Sequence, residues 1–100
     1  MKLKAWVRVQ GIRPEIMLAI MVADQIWREL GQHGVTVTSV IEGRHSSHSD
    51  HYRGDAIDLR IWDIDAKTAA GRLEDGLGED YFVLLENDHI HVSYRPKSIA

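Results

Sequence analysis

The stretch YFVLLENDHIHVSY, residues 81–94, decides the fold. Tyr81 to Leu85 and Ile90 to Tyr94 are aromatic, aliphatic and β-branched runs that suit strands, and the polar Glu86-Asn87-Asp88 between them has the chemistry of a tight turn. Together they predict a β-hairpin. In the second strand Ile90 and Val92 alternate with His89 and His91. One side therefore seeks a core, and the other delivers two imidazoles to a polar surface.

The segment before the hairpin reads as a short helix through Ala66, Ala69, Ala70 and Leu73, with Asp65 as its N-cap and Gly76 and Gly78 closing it. Ahead of that, Ala56 to Trp62 alternates, with Ile57, Leu59 and Ile61 on one face and Asp58, Arg60 and Trp62 on the other. Asp58 thus points away from the core. Residues 43–54 are rich in His and Ser, have no apolar period and read as a loop, while Val35 to Ile41 is a β-branched strand leading into it. The main helix starts at Pro14, and Ile16, Ile20, Ala23, Trp27 and Leu30 recur at helical spacing until Gly31 and Gly34 end it. Its Met and Trp residues read as core packing rather than a cofactor box. Leu3, Ala5, Val7 and Val9 alternate with polar neighbours and Trp6 as a short strand or extended arm before Gly11. Helices mixed with strands, the last two in a hairpin, predict an α+β fold: a small, mainly antiparallel sheet packed against one main helix.

One hundred residues, 44% of them hydrophobic, suit a single domain over 1–100 with one core. A net charge of -3, with no run of Lys or Arg, argues against a nucleic-acid partner. The longest apolar stretch, Ile16 to Ala23, is far short of a membrane span, so no membrane partner is expected either. The first residues lack the basic, apolar, then small pattern of a secretory leader, which leaves the location open: cytoplasmic, or released by a separate pore if the chain is phage-encoded. With no cysteine, any zinc site must be built from His and carboxylates. Five of the six histidines fall into two short clusters, His45, His48 and His51, then His89 and His91.

A catalytic zinc needs three protein ligands and an open position. His91 and Asp58 on neighbouring strands, with His51 folding back from the loop, can supply that set. Two neutral imidazoles and one carboxylate leave the ion net positive, which lowers the pKa of bound water. Asp88, three residues before His91, can act as the base, with Glu86 close enough to compete. Arg44, after the Val35 to Ile41 strand, can stabilise an oxyanion or hold a substrate carboxylate. His45 and His48 read as rim residues. His89 is either a support for a ligand, a substrate-facing group or an exposed strand residue. Trp62 and Tyr94 can line a groove, although aromatics on strands are more often packing residues, and His33 carries no signal.

Ser49, His51, Gly54, Ala56 and Asp58 match the S-x-H-x-x-G-x-A-x-D pattern of the zinc D-Ala-D-Ala carboxypeptidase family. The chain resembles that family, which includes D-Ala-D-Ala dipeptidases and phage L-alanyl-D-glutamate endopeptidases and shares its fold with the hedgehog signalling domain. Five fixed positions would match by chance on the order of once in a million at a given start. The resemblance implies a hedgehog/DD-peptidase-like fold with Zn2+ held by His51, Asp58 and His91. It also implies Asp88 as the base, since Asp88-His89-Ile90-His91 looks like the family's second motif. Arg44 resembles the family's arginine after the central strand, but Glu42-Gly43 before it is not the usual pattern. Ser49 and His89 are the candidates for contact with substrate. The similarity covers Val35 to Tyr94, while family enzymes are longer and add loops that shape the groove.

The expected function is zinc-dependent hydrolysis of peptide bonds in peptidoglycan stem peptides by a monomeric carboxypeptidase or endolysin-like endopeptidase. A cytoplasmic dipeptidase is the nearest enzymatic rival. A non-catalytic zinc-binding recognition module of the same fold is the rival from another class, and a metal-free interaction protein is the third.

Overall fold

The computed structural model describes residues 1–41 and 56–96. In chain order these form β1 (Lys2–Leu3), α1 (Pro14–Glu29), β2 (Thr36–Ile41), β3 (Ala56–Arg60), α2 (Ala66–Leu77), β4 (Tyr81–Leu85) and β5 (His89–Tyr94).

Pro14 opens α1, where its fixed φ and missing N–H cost nothing. Ile16, Ala19, Ile20, Ala23, Ile26 and Trp27 form the buried stripe. The helix ends in a Schellman arrangement: Gln32 N–H donates to the Trp27 carbonyl (2.9 Å) and Gly31 N–H to that of Arg28 (3.1 Å). Gly31 takes the φ of 95° that this reversal requires. In α2 the Asp65 side chain accepts from Thr68 N–H as the expected N-cap, which holds its carboxyl below the usual range. The helix runs through Gly76 rather than stopping there. A Cβ at Gly76 would lie 3.3 Å from Val22 Cγ1, so the missing side chain lets α2 approach α1 closely.

The five strands join in the order β1-β2-β3-β5-β4. The pairs β2–β3, β3–β5 and β4–β5 are antiparallel, but β1 runs parallel to β2, so the sheet is mixed rather than mainly antiparallel. The cause is the connection, since a chain that leaves β1, crosses through α1 and returns to the sheet arrives in the direction it left. The first strand is also shorter than its alternation predicts. It stops at Leu3 because the chain turns back at once, with Val7 N–H donating to the Lys4 carbonyl (3.0 Å) and Trp6 at a φ of 74°. Trp6 is left almost wholly exposed.

Two helices, not one, cover one face of the sheet. Ile16, Ile20 and Trp27 of α1 and Ala69 and Leu73 of α2 share one cluster with Val37, Ile57, Leu59, Ile90 and Val92. Tyr81 locks the hairpin to the start of α1 by donating its hydroxyl to the Glu15 carbonyl (2.8 Å), and its ring packs on Tyr94 at 5.2 Å between centroids. Burial raises the Tyr81 pKa. Asp24 ties α1 to the sheet: Oδ1 accepts from Val35 N–H (2.9 Å) and the Met1 amine (2.8 Å), and Oδ2 from Arg28 Nε (3.0 Å). Burial alone would raise its pKa, but those hydrogen bonds outweigh it and lower the value to about 2. Gly34, at a φ of 130°, passes so close that a Cβ there would collide with Asp24 Oδ1. Among the described residues no helix is long and apolar enough to cross a membrane.

Candidate functional site

Because β3 and β5 pair directly, their alternation places one set of residues against the helices and the other on the opposite face. Asp58 stands opposite His91, and Arg60 opposite His89. Their neighbours Ile57, Leu59, Ile90 and Val92 are fully buried. A strand cannot twist Asp58 or His91 out of place without pulling those four from the core. The expected orientation of both residues is therefore what the fold enforces.

Asp58 Oδ1 accepts a hydrogen bond from His91 Nδ1 at 2.9 Å, and His89 Nε2 lies 3.6 Å from the same oxygen. The Asp58 and His91 side chains are 20% and 22% exposed, partly shielded yet open to a small ligand. Thr38 Oγ1 donates to the Asp58 carbonyl (3.3 Å), adding a tie from β2.

Asp88, the expected base, stands at the hairpin turn. Its carboxylate accepts from His89 Nδ1 at 2.6 Å, and its side chain is 87% exposed. The His89 bond lowers the Asp88 pKa. In return the Asp88 bond raises the His89 pKa against its partial desolvation, with the charges of Asp58, Asp88 and Glu86 adding in the same direction. His89 thus lies between Asp88, which it hydrogen-bonds, and Asp58, which it approaches to 3.6 Å.

Two donors about 2 Å from a tetrahedral zinc ion stand roughly 3.3 Å apart. Asp58 Oδ1 and His91 Nδ1 lie 2.9 Å apart, near that separation, so an ion taking this oxygen and this nitrogen would replace the proton now shared between them. Among the described residues no group of three His, Cys, Asp or Glu side chains is arranged to hold a metal, and an ion held by this pair would need a further ligand from outside them. The residue expected in that role, His51, lies outside the described residues, as do Arg44, Ser49, His45 and His48.

Ser93 is a feature the sequence reading passed over. It follows His91 by two on the same side of β5, opposite Ala56, and is 3% exposed, with no hydrogen-bond partner for its hydroxyl among the described residues. Arg60 is another, on the polar side with Asp58. Its spacing of two from Asp58 was the available signal. Tyr94 packs as expected of a strand aromatic, whereas Trp62 is 66% exposed with the Arg60 guanidinium carbon 3.7 Å from its ring centroid.

No family model, curated protein or solved structure matches the chain.

Proposed function

We propose that the protein is a zinc-dependent peptidase that hydrolyses peptide bonds of peptidoglycan stem peptides, as a carboxypeptidase or an endolysin-like endopeptidase of the hedgehog/DD-peptidase type. The observation that carries this reading is the convergence of Asp58 and His91, 33 residues apart in sequence, at 2.9 Å on the polar face. The motif from Ser49 to Asp58 supports it independently.

In this reading His51, Asp58 and His91 would hold the ion, and its Lewis acidity would make a water nucleophilic near neutral pH. His89 orients the carboxylate of Asp58 from one side, while Thr38 fixes its backbone. Asp88 takes the proton from the attacking water and passes it to the leaving amine, which requires its carboxylate to swing from His89. Being mostly exposed, that side chain pays little packing energy to move. Arg44 pairs with developing negative charge or a substrate carboxylate, and Ser49 contacts the substrate.

The test is digestion of purified muropeptides by zinc-loaded protein, with products identified by mass. Release of D-Ala or scission between L-Ala and D-Glu supports the reading and names the bond. Intact peptides after prolonged incubation reject it. The Asp88–His89 bond favours a second reading, a zinc-binding recognition module whose acidic residue is structural. Tight binding of a stem peptide without cleavage is its signature.

A further inference from the structure

Just beyond Asp58 along β3, the chain builds a platform that the metal chemistry does not use. The Arg60 guanidinium carbon sits 3.7 Å over the centroid of the Trp62 ring, and Trp62 stays 66% exposed, far more than core packing would leave it. The segment is held rigidly. Buried Trp27 donates its indole N–H to the Arg60 carbonyl (3.2 Å), and Gln32 donates its side-chain amide to the Asp63 carbonyl (2.7 Å). Asp63 takes a φ of 57°, a left-handed turn uncommon for a residue other than glycine, and this turn sets where the indole stands.

A cleft of about 240 Å³ opens beside this platform, lined by Lys2, Trp27, Gln32, Arg60, Trp62 and Asp63 among others. Two cations face one carboxylate there. Among the described residues no salt bridge engages Arg60. A guanidinium stacked on an indole keeps its in-plane N–H groups free, and those edges match a carboxylate in a bidentate pair. Arg60 shares its face with Asp58, two residues or roughly 6.6 Å along the strand. An extended peptide crossing Asp58 and His91 would therefore bring a group one or two residues from the reacting bond to Arg60.

We propose that Arg60, stacked on Trp62, is a positioning residue that binds a carboxylate of the substrate. The inference rests on the peptidase reading for its substrate class. It assigns to this cleft the selection of peptides with a free acid over their amides.

The test uses the zinc-loaded full chain and the pentapeptide L-Ala-γ-D-Glu-L-Lys-D-Ala-D-Ala, dansylated on the lysine. Three companions carry an amide at the C-terminus, at the D-Glu α-carboxyl, or at both. Affinity is read by stopped-flow anisotropy before turnover, and cleavage is followed in the same samples by mass. Wild type should bind at least one amidated peptide about tenfold or more weakly than the free acid. Arg60→Gln should lose the discrimination at one of the two amidated positions, binding that amide and its free acid alike. Arg60→Lys keeps the charge without the planar fork and should fall between. Trp62→Phe should retain discrimination, and Trp62→Ala should lose most of it. Circular dichroism checks each variant's fold, and the Arg60→Lys and Trp62→Ala series carry the test if Arg60→Gln does not fold.

Equal or undetectable binding of all four peptides by wild type overturns the proposal, as does undiminished discrimination by folded Arg60→Gln. Discrimination without cleavage would uphold this cleft and reject the peptidase. Cleavage without discrimination would do the reverse.

Discussion

Ile57, Leu59, Ile90 and Val92 are wholly buried under two helices, while Asp58, His89 and His91, each one residue away, keep part of their surface in water. The same two strands serve both faces. On the helix side the residues are interchangeable in chemistry but constrained in volume, and on the other side the reverse holds: Asp58 and His91 are placed by atom, with a specific oxygen against a specific nitrogen. The contrast teaches that stability and chemistry are separated here by a strand's period of two rather than by distance along the chain. Substitutions on one face should change melting, and on the other metal content and rate.

The largest expected effect is on the polar face. His91→Ala should abolish both stoichiometric zinc binding and peptidase activity, yet melt within about 8 °C of wild type once zinc is chelated from both, because then only the Asp58–His91 hydrogen bond is lost. Elemental analysis after dialysis against a weak chelator, with melting curves of both proteins, checks it. Full zinc retention by the variant would break the comparison. On the helix face Leu59→Ala should cost about 3 kcal/mol, a fall in melting temperature of roughly 12 to 24 °C, because a wholly buried side chain leaves a cavity between sheet and helices. At a temperature where the variant is still folded, its zinc stoichiometry should be unchanged.

Asp88→Asn should keep fold and metal while lowering turnover of a wall peptide about a hundredfold or more, since Asn retains the turn preference and loses the proton acceptor. Equal rates would move the base to Glu86. Asp24→Asn should cost about 1 to 2 kcal/mol near neutral pH by weakening three hydrogen bonds. Its carboxyl titrates at about 2 in the folded chain against 3.8 as the ordinary value, so its contribution is present above 3.8 and is lost as pH falls through 2. The gap in melting temperature between wild type and Asp24→Asn should accordingly close from pH 5 to pH 2, and a constant gap would refute the assignment. Ser93→Ala is the smallest change. Removing a buried, unpartnered hydroxyl should be neutral or slightly stabilising, within about 1 kcal/mol, and a larger loss in chemical denaturation would reveal a partner.

Local pattern made the hairpin, the stripe of α1, the Asp65 cap and the outward direction of Asp58 and His91 legible, because each depends on a period or a capping residue within a few positions. Strand direction was not written in that way. Alternation around Leu3 is the same whether β1 runs with or against β2, and only the α1 crossover decides it. The end of α2 at its Gly78 cap was legible, but the second role of Gly76, a close helix contact with Val22, was hidden because it depends on how α2 meets α1. At the candidate site the sequence located the Asp58–His91 pair. It could not show that His89 would join Asp88 to Asp58, because that depends on the register between β3 and β5 and on how the hairpin turn directs the Asp88 carboxylate.

The strand order has a kinetic consequence. β5 sits between β3 and β4, and it meets β4 across only Glu86, Asn87 and Asp88, whereas reaching β3 requires α2 and β4 to fold back first. Closing the short loop costs less entropy and proceeds faster, so the hairpin can exist before Asp58 and His91 meet. Any ligand that bridges those two residues grips a contact made late. Such a ligand should slow unfolding far more than it speeds folding, giving the loaded protein a long lifetime without a faster birth.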